Sequence, residues 1–231
     1  MNTIMDEFAS RVAEVDAYIK VLVRLEDPNV VIFDRSRKRK LSLIGQGSFK
    51  VMKATVFLMI YNLVESSIRS GFRSLYEQMH SEGKTVSELR VELRKLWIGG
   101  KYQRVAKKSA TLQSFEEAAT EIVEIVLSQS VAELRHESLP ISGNLDADKI
   151  RDLCQKHGVV IQLHRQAFGG SELVTVKRQR NALGHGESSF ESCGQQYSVS
   201  DLVRIKKQAV VFVRGVLKSL AKYINEEQYI A

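Results

Sequence analysis

The stretch Lys177-Arg178-Gln179-Arg180-Asn181-Ala182-Leu183-Gly184-His185-Gly186 gathers the side chains best suited to chemistry on a phosphate. A guanidinium offers a planar fork of donors that matches phosphate oxygens and stabilises negative charge developing on them. An imidazole exchanges a proton near neutral pH and so serves as general acid or base. Arg180 and His185 are five residues apart, about 140° round an ideal helix, whereas Asn181 and His185, four apart, share a helix face. A helix ending at Gly184 lets the long arginine side chain swing back toward the histidine, and a helix C-terminus attracts positive charge. Spacing alone carries little weight, because 17 arginines and five histidines in 231 residues give on the order of 0.4 such pairs by chance at any one separation. Taken alone, these residues fit better as solvated helix charges (Arg178 and Arg180) and a helix cap (His185).

The elements that must hold them read as helices. Only Pro28 and Pro140 interrupt the chain. Met5, Phe8, Val12, Val15, Ile19 and Leu22 form one apolar stripe at helical spacing, ended by Pro28. Val30 to Phe33 lean toward strand and precede a basic run, Arg35 to Lys40, so a short hairpin or an irregular loop both fit residues 30–45. A long helix is expected over about 49–79, apolar nearly all round in its first half and hence buried in a bundle, with Gly83 stopping it. Thr85 is expected to open a helix carrying Val86, Leu89, Leu93, Leu96 and Trp97 that the Gly99-Gly100 pair closes, leaving 101–108 as a basic connection. Ser114 is expected to cap a helix with Phe115, Ala118, Ala119, Ile122, Val126 and Leu127 on one face. Beyond Pro140 come a loop, a short helix capped by Asp146, and a helix from Ser171 to about Leu183. After a polar loop, a capping box over Ser198–Asp201 opens a last helix carrying Leu202, Ile205, Ala209, Phe212, Val213, Val216, Leu217 and Leu220. The expected fold class is all-α, a helical bundle. It divides by texture into an N-terminal helix and basic loop (1–48) and a helical domain (49–231).

Placed between two such helices near the C-terminus, RNALGHG closely resembles the Arg-polar-x-x-x-His signature of the HEPN superfamily. Ser142 to Arg151, followed by a short helix ending in His157-Gly158, is similar to the region before that motif in one prokaryotic subfamily, whose members often sit beside defence or toxin–antitoxin genes. The early helix FLMIYNLVESSIRSGF resembles the first core helix of such proteins. The resemblance covers roughly residues 50 to 225. It implies a metal-independent endoribonuclease acting on single-stranded or loop RNA, in which the 2′-hydroxyl attacks the adjacent phosphate and leaves a cyclic phosphate. Carried onto this chain, His185 is the acid or base, Arg180 holds and neutralises the scissile phosphate, and Asn181 is the polar second position. Asn62 and Glu65 on the early helix are candidates for orienting the motif.

A net charge of +7 suits a polyanionic partner and equally suits plain solubility. Lys101, Arg104, Lys107, Lys108 and Arg178 are expected to contact an RNA backbone, adding affinity rather than chemistry, with Tyr102 either stacking on a base or packing inward. Cys154 and Cys193 make no disulfide framework, and the Cys154-x-x-His157 pair lacks a second pair at zinc-ligand spacing. No metal and no cofactor are expected. His80, His136 and His164 have no carboxylate or cysteine cluster near them in sequence. No secretory signal is visible at the N-terminus, and the longest apolar run, Ala54 to Val64, falls short of the roughly 20 residues of a membrane span. A cytoplasmic location without membrane attachment is expected. RNA, a second copy of the chain, and an antitoxin or defence-system protein are the expected partners. Two rival readings are a non-catalytic HEPN module binding RNA or nucleotides and a helical interaction protein with an acidic partner. Arg180, Asn181 and His185 together favour the enzyme, since a pure binder needs no such trio.

Overall fold

A 36-residue helix, α2 (Gln46–Ser81), forms the axis on which the other elements pack. The computed structural model describes residues 2–27, 29–30, 33–34, 36, 38–40, 45–106, 111–134, 139, 141 and 143–231. Around α2 lie α1 (Asn2–Glu26), α3 (Val91–Ala106), α4 (Leu112–Leu127), α5 (Ala147–Lys156), α6 (Glu172–Gly184), α7 (Phe190–Gln195) and α8 (Val199–Asn225), with a 3-10 turn over Arg165–Gly170. The fold is an all-α bundle. Between α1 and α2, β1 (Phe33–Asp34) and β2 (Arg39–Lys40) form a minimal antiparallel ladder, Phe33 opposite Lys40. Arg35 and Arg37 of the basic run, like Pro28, Pro140 and His136, lie outside the described residues.

The apolar periodicity of the chain explains the packing. Phe57, Ile60, Tyr61, Val64, Ile68, Phe72 and Leu75 of α2 are buried on more than one side, because α1, α6, α7 and α8 all approach it. By length and composition α2 could cross a membrane; here half of its most apolar stretch is buried inside the bundle. The α1 stripe joins the same core through Phe8, Val15, Ile19 and Leu22, with Met5 and Val12 half-buried. Tyr18 Oη donates to the Met52 carbonyl at 3.1 Å, and Lys206 pairs with Asp16, tying α1 to α2 and α8. All eight apolar positions read along the last helix are buried, and Ser198 and Asp201 cap α8 reciprocally. Where α2 faces α8, a Cβ on Gly71 would sit 3.0 Å from Leu217 and Leu220 methyls, which favours a small residue there.

Three elements differ from the sequence expectation. Thr85 to Leu89 is a turn, and α3 begins only at Val91. The Glu88 carboxylate accepts from the Thr85 amide and hydroxyl, while Arg90 N donates to Tyr229 O and Ala231 N to Glu88 O. The C-terminal tail thus claims backbone groups that an earlier helix start would need. The helix then runs through Gly99-Gly100 to Ala106; neither glycine adopts the left-handed conformation that ends helices. Second, α4 is capped by Thr111, with Ser114 at the third position closing the box. Its outer face stays uncovered, Leu112 and Leu127 being 76% and 78% exposed, while Ala118 is buried and Ile122 and Ile125 pack on the core. Third, the polar loop after the Arg/His motif contains α7, capped by the Ser189 hydroxyl accepting from Ser192 N. A Cβ on Gly194 would fall inside the Lys50 carbonyl oxygen, so this short helix lies directly on the α2 backbone.

His157 closes α5 and is buried against α2 and α8. Its Nδ1 lies 2.6 Å from the Leu153 carbonyl, an acceptor only, so Nδ1 carries the proton and Nε2 accepts from Tyr76 Oη at 2.7 Å. Tyr223 Oη donates to the His157 carbonyl. Burial pushes the imidazole down to about 4 from its ordinary 6.5. The folded state therefore resists a proton that the unfolded chain takes up. This contribution is complete above pH 6.5 and is lost as pH falls toward 4, up to about 3 kcal/mol at 1.36 kcal/mol per unit. Urea melts at pH 7, 6, 5 and 4 should show that loss, and His157→Gln, which keeps one donor and one acceptor, should flatten it.

Candidate functional site

The C-terminal turn of α6 presents the motif. His185 is the C-cap, its amide donating to Asn181 O at 2.9 Å, and Gly186 turns the chain away with φ +74, a conformation suited to glycine. The imidazole of His185 is exposed and makes no hydrogen bond among the described residues. Arg180 is half-buried, and its guanidinium lies 4.8 Å above the Tyr61 ring of α2. Nη1 donates to Asn181 Oδ1 at 3.0 Å and to the Gly143 carbonyl at a longer 3.4 Å. Nε and Nη2 keep their donors uncommitted within the described residues.

The segment before α5 supplies the other wall. Asn181 Nδ2 donates to Asn144 Oδ1 at 2.8 Å, and Leu145 N donates to Tyr61 Oη at 3.0 Å. Gly143 has φ +66, and a Cβ there would stand 3.3 Å from Arg180 Nη1, so both backbone and space call for glycine. Lys177, one turn before Asn181, pairs with Asp146, the N-cap of α5. Burial alone would raise the Asp146 carboxyl, but the Lys177 ammonium and the Lys149 amide outweigh it and hold the group below the usual carboxylate range. On the opposite side of α6, buried Gln179 donates to Tyr197 Oη at 2.8 Å, and the Tyr197 ring meets Phe57 edge-on at 4.7 Å. The helix that carries Arg180 is therefore fixed to α2 on two sides.

A family model of MAE_28990-like HEPN proteins matches residues 1–229. The chain belongs to this HEPN family. No curated protein and no solved structure matches it. The family match takes in α1 and the basic loop as well as the region from residue 50 to 225 on which the sequence resemblance rests.

Within this HEPN bundle the candidate residues divide. Arg180 and Asn181 touch through their side chains, and His185 shares their helix end, bonded to Asn181 through its backbone amide but with its imidazole bonded to neither. Glu65 sits one turn beyond Tyr61; its carboxylate binds Arg69 at 3.0 Å, and Arg69 in turn donates to the Ile141 carbonyl at 2.6 Å. Burial raises the Tyr61 phenol, with the Glu65 carboxylate adding to the rise, so the hydroxyl stays protonated. Asn62 is exposed and lines, with Glu65, Ser66 and Arg69, a groove of about 1370 Å³ along α2 whose walls carry five carboxylates and three guanidiniums. Lys101 is matched by Glu121 and lies 5.3 Å over the Trp97 ring. Arg178 is exposed and unpaired among the described residues. The Arg104 side chain, Lys107 and Lys108 lie outside the described residues. Among the described residues no three His, Cys, Asp or Glu side chains cluster as metal ligands would.

Tyr61, Gly143 and Asn144 are the contacts that motif spacing did not identify. A tyrosine in an otherwise apolar helical run was the available signal, since a buried phenol has to find a partner for its hydroxyl. Tyr61→Phe should destabilise the protein by about 1–3 kcal/mol by leaving the Leu145 amide without an acceptor. Tyr61→Leu should also couple to Arg180→Met in a double-mutant cycle, by about 0.5 kcal/mol or more for the lost cation–π contact. Additive urea-melt values for that pair would show that the stacking carries no energy.

Proposed function

We propose that this HEPN protein is a metal-independent endoribonuclease, acting as the effector of a bacterial toxin–antitoxin or defence system. The observation that carries the reading is a guanidinium oriented by Tyr61, Asn181 and Gly143, on the same helix end as an exposed imidazole, with Nε, Nη2 and that imidazole free of partners among the described residues. Arg180 binds the scissile phosphate through those free donors and stabilises the charge that gathers on its oxygens. The 2′-hydroxyl oxygen attacks phosphorus, the P–O5′ bond breaks, and a 2′,3′-cyclic phosphate and a 5′-hydroxyl result. His185 exchanges the proton that leaves the 2′-oxygen or arrives at the 5′-oxygen. Asn181 holds the guanidinium in register.

One imidazole cannot take a proton from one oxygen and deliver another to the opposite oxygen in the same step. A homodimer placing two motifs across a shared groove supplies the second, and two-fold symmetry is the commonest way to double a set of groups. The α1 stripe is spent on the protein's own core, so the interface draws on other surfaces, and the exposed apolar face of α4 is available.

Purified protein incubated with total RNA and with tRNA is expected to give discrete fragments in EDTA, and His185→Ala is expected to lower the rate by roughly 10²–10⁴ with the helical CD spectrum unchanged. Arg180→Lys should also fail, a point charge replacing a fork. Cleavage that stops in EDTA and returns with Mg²⁺ would defeat the mechanism; RNA binding without cleavage would make the protein a binding module. In mixtures with excess His185→Ala under subunit exchange, activity should fall well below simple dilution. A fully active monomer would refute the shared site.

A further inference from the structure

The 3-10 turn before α6 holds an aromatic ring in solvent by means of a strained backbone. Phe168 has φ 45 and ψ 42, the left-handed region that non-glycine residues rarely occupy, and it is 65% exposed, the most exposed aromatic side chain among the described residues. Its surroundings are built to keep it there. Ala167 and Gly170 are buried. Gly170, at φ +78, packs so closely on α8 and α5 that a Cβ would lie 2.6 Å from the Phe212 ring and 2.8 Å from Ala147 Cβ. Arg151 of α5 donates to the Gly169 carbonyl and lies 5.6 Å over the Phe212 ring, while Ser171 N donates to Phe168 O at 3.2 Å. A backbone held in an unfavourable well and an apolar ring left in water are both costs to folding, and such strain concentrates at functional positions.

The turn is continuous with the motif. The segment 144–151 runs antiparallel to 169–181, and three hydrogen bonds stitch the two together in order: Asn144 with Asn181, Asp146 with Lys177, Arg151 with Gly169. Arg180 is at one end of this seam and Phe168 at the other, separated by about 12 Å of α6 plus the turn. The elements of the seam carry exposed cations without an ion-pair partner among the described residues: Lys149 on α5, Arg165 in the turn and Arg178 on α6.

We infer that Phe168 is a stacking platform for an unpaired nucleobase of the RNA, a few nucleotides from the scissile phosphate, with Lys149, Arg165 and Arg178 meeting the intervening phosphates. A flat ring exposed to solvent can accept any base face, and cations beside it track the backbone, the combination that binds single strands without sequence preference. The inference rests on the ribonuclease reading for its substrate class, but its test does not need cleavage.

The probe is a 2′-O-methyl hexaadenylate strand, which lacks the attacking hydroxyl. Phe168→Trp places an indole in the turn, distinct from buried Trp97 in the wild-type control. Its fluorescence should be quenched saturably by hexaadenylate and not by an abasic strand of equal length. Phe168→Asn, whose short polar side chain tolerates the left-handed region, should keep the fold and lose roughly 5–150-fold in affinity for hexaadenylate. The Trp variant should bind as wild type does. Equal affinity of wild type and Phe168→Asn, or an unquenched indole, would overturn the platform and leave Phe168 as a contact for a protein partner. A wild-type protein that binds hexaadenylate, with its Phe168→Trp variant quenched, but never cuts RNA would overturn the ribonuclease reading alone. One that cuts while Phe168→Asn keeps an unchanged KM would overturn the platform alone.

Discussion

A guanidinium half withdrawn from water has to recover its lost solvation from the protein, and how Arg180 does so governs the arrangement around it. The Tyr61 ring offers its negative face, Asn181 an amide oxygen and Gly143 a backbone carbonyl. Each of these comes from a different part of the chain: the long second helix, the motif helix itself, and the segment entering α5. None compensates the charge fully. Among the described residues Nε and Nη2 remain short of partners, which suits an anion better than water alone. A fully paired Arg180 would be a structural residue; a fully solvated one would have no fixed direction.

The same logic repeats along α2, whose aromatic side chains do more than fill volume. Tyr61 accepts from Leu145 N and supports Arg180; Phe57, one turn earlier, meets Tyr197, which binds Gln179 on the far side of the motif helix. Tyr76, four turns later, holds His157 at the end of α5. Three aromatic positions on one helix thus fix both elements of the seam at three points. Burying these rings supplies apolar stabilisation, and the Tyr61 and Tyr76 hydroxyls select one register for the segments laid over them. Because polar groups without partners are costly in such surroundings, a one-residue slip of the 143–157 segment would strand the Tyr61 and Tyr76 hydroxyls together.

Much of this was readable in the residues, for reasons that differ by element. Helices with a wide apolar face, α1, α2 and α8, follow from periodicity because burial of that face dominates their energetics. The caps Asp146 and Ser198 were legible because local side-chain geometry decides them. Turn 85–90 was not, since its backbone is satisfied by Tyr229 and Ala231 from the far end of the chain. Nor was α7, six residues long, whose reason for existing is a glycine laid against the Lys50 carbonyl. At the site, the resemblance to the HEPN signature singled out Arg180, Asn181 and His185, and the family match supports the setting in which they were read. Tyr61 escaped notice because long-range contact, not spacing, brings its ring under the guanidinium.

The distribution of charge then bears on where a polyanion can lie. The chain is +7 overall, yet the large groove along α2 has more carboxylates than guanidiniums on its walls, and α4 carries four glutamates with no lysine or arginine. Neither surface offers a polyanion an excess of cations. The excess positive charge therefore resides on other elements, and among those described with side chains the α5–α6 seam holds several cations free of ion pairs. Long-range attraction acts on the summed field, whereas docking requires unpaired donors close to a rigid surface. The seam joins the two, since it begins at the motif, is stitched by three hydrogen bonds, and ends at an exposed ring. A strand laid along it meets the free donors of Arg180 without passing the glutamates of the groove.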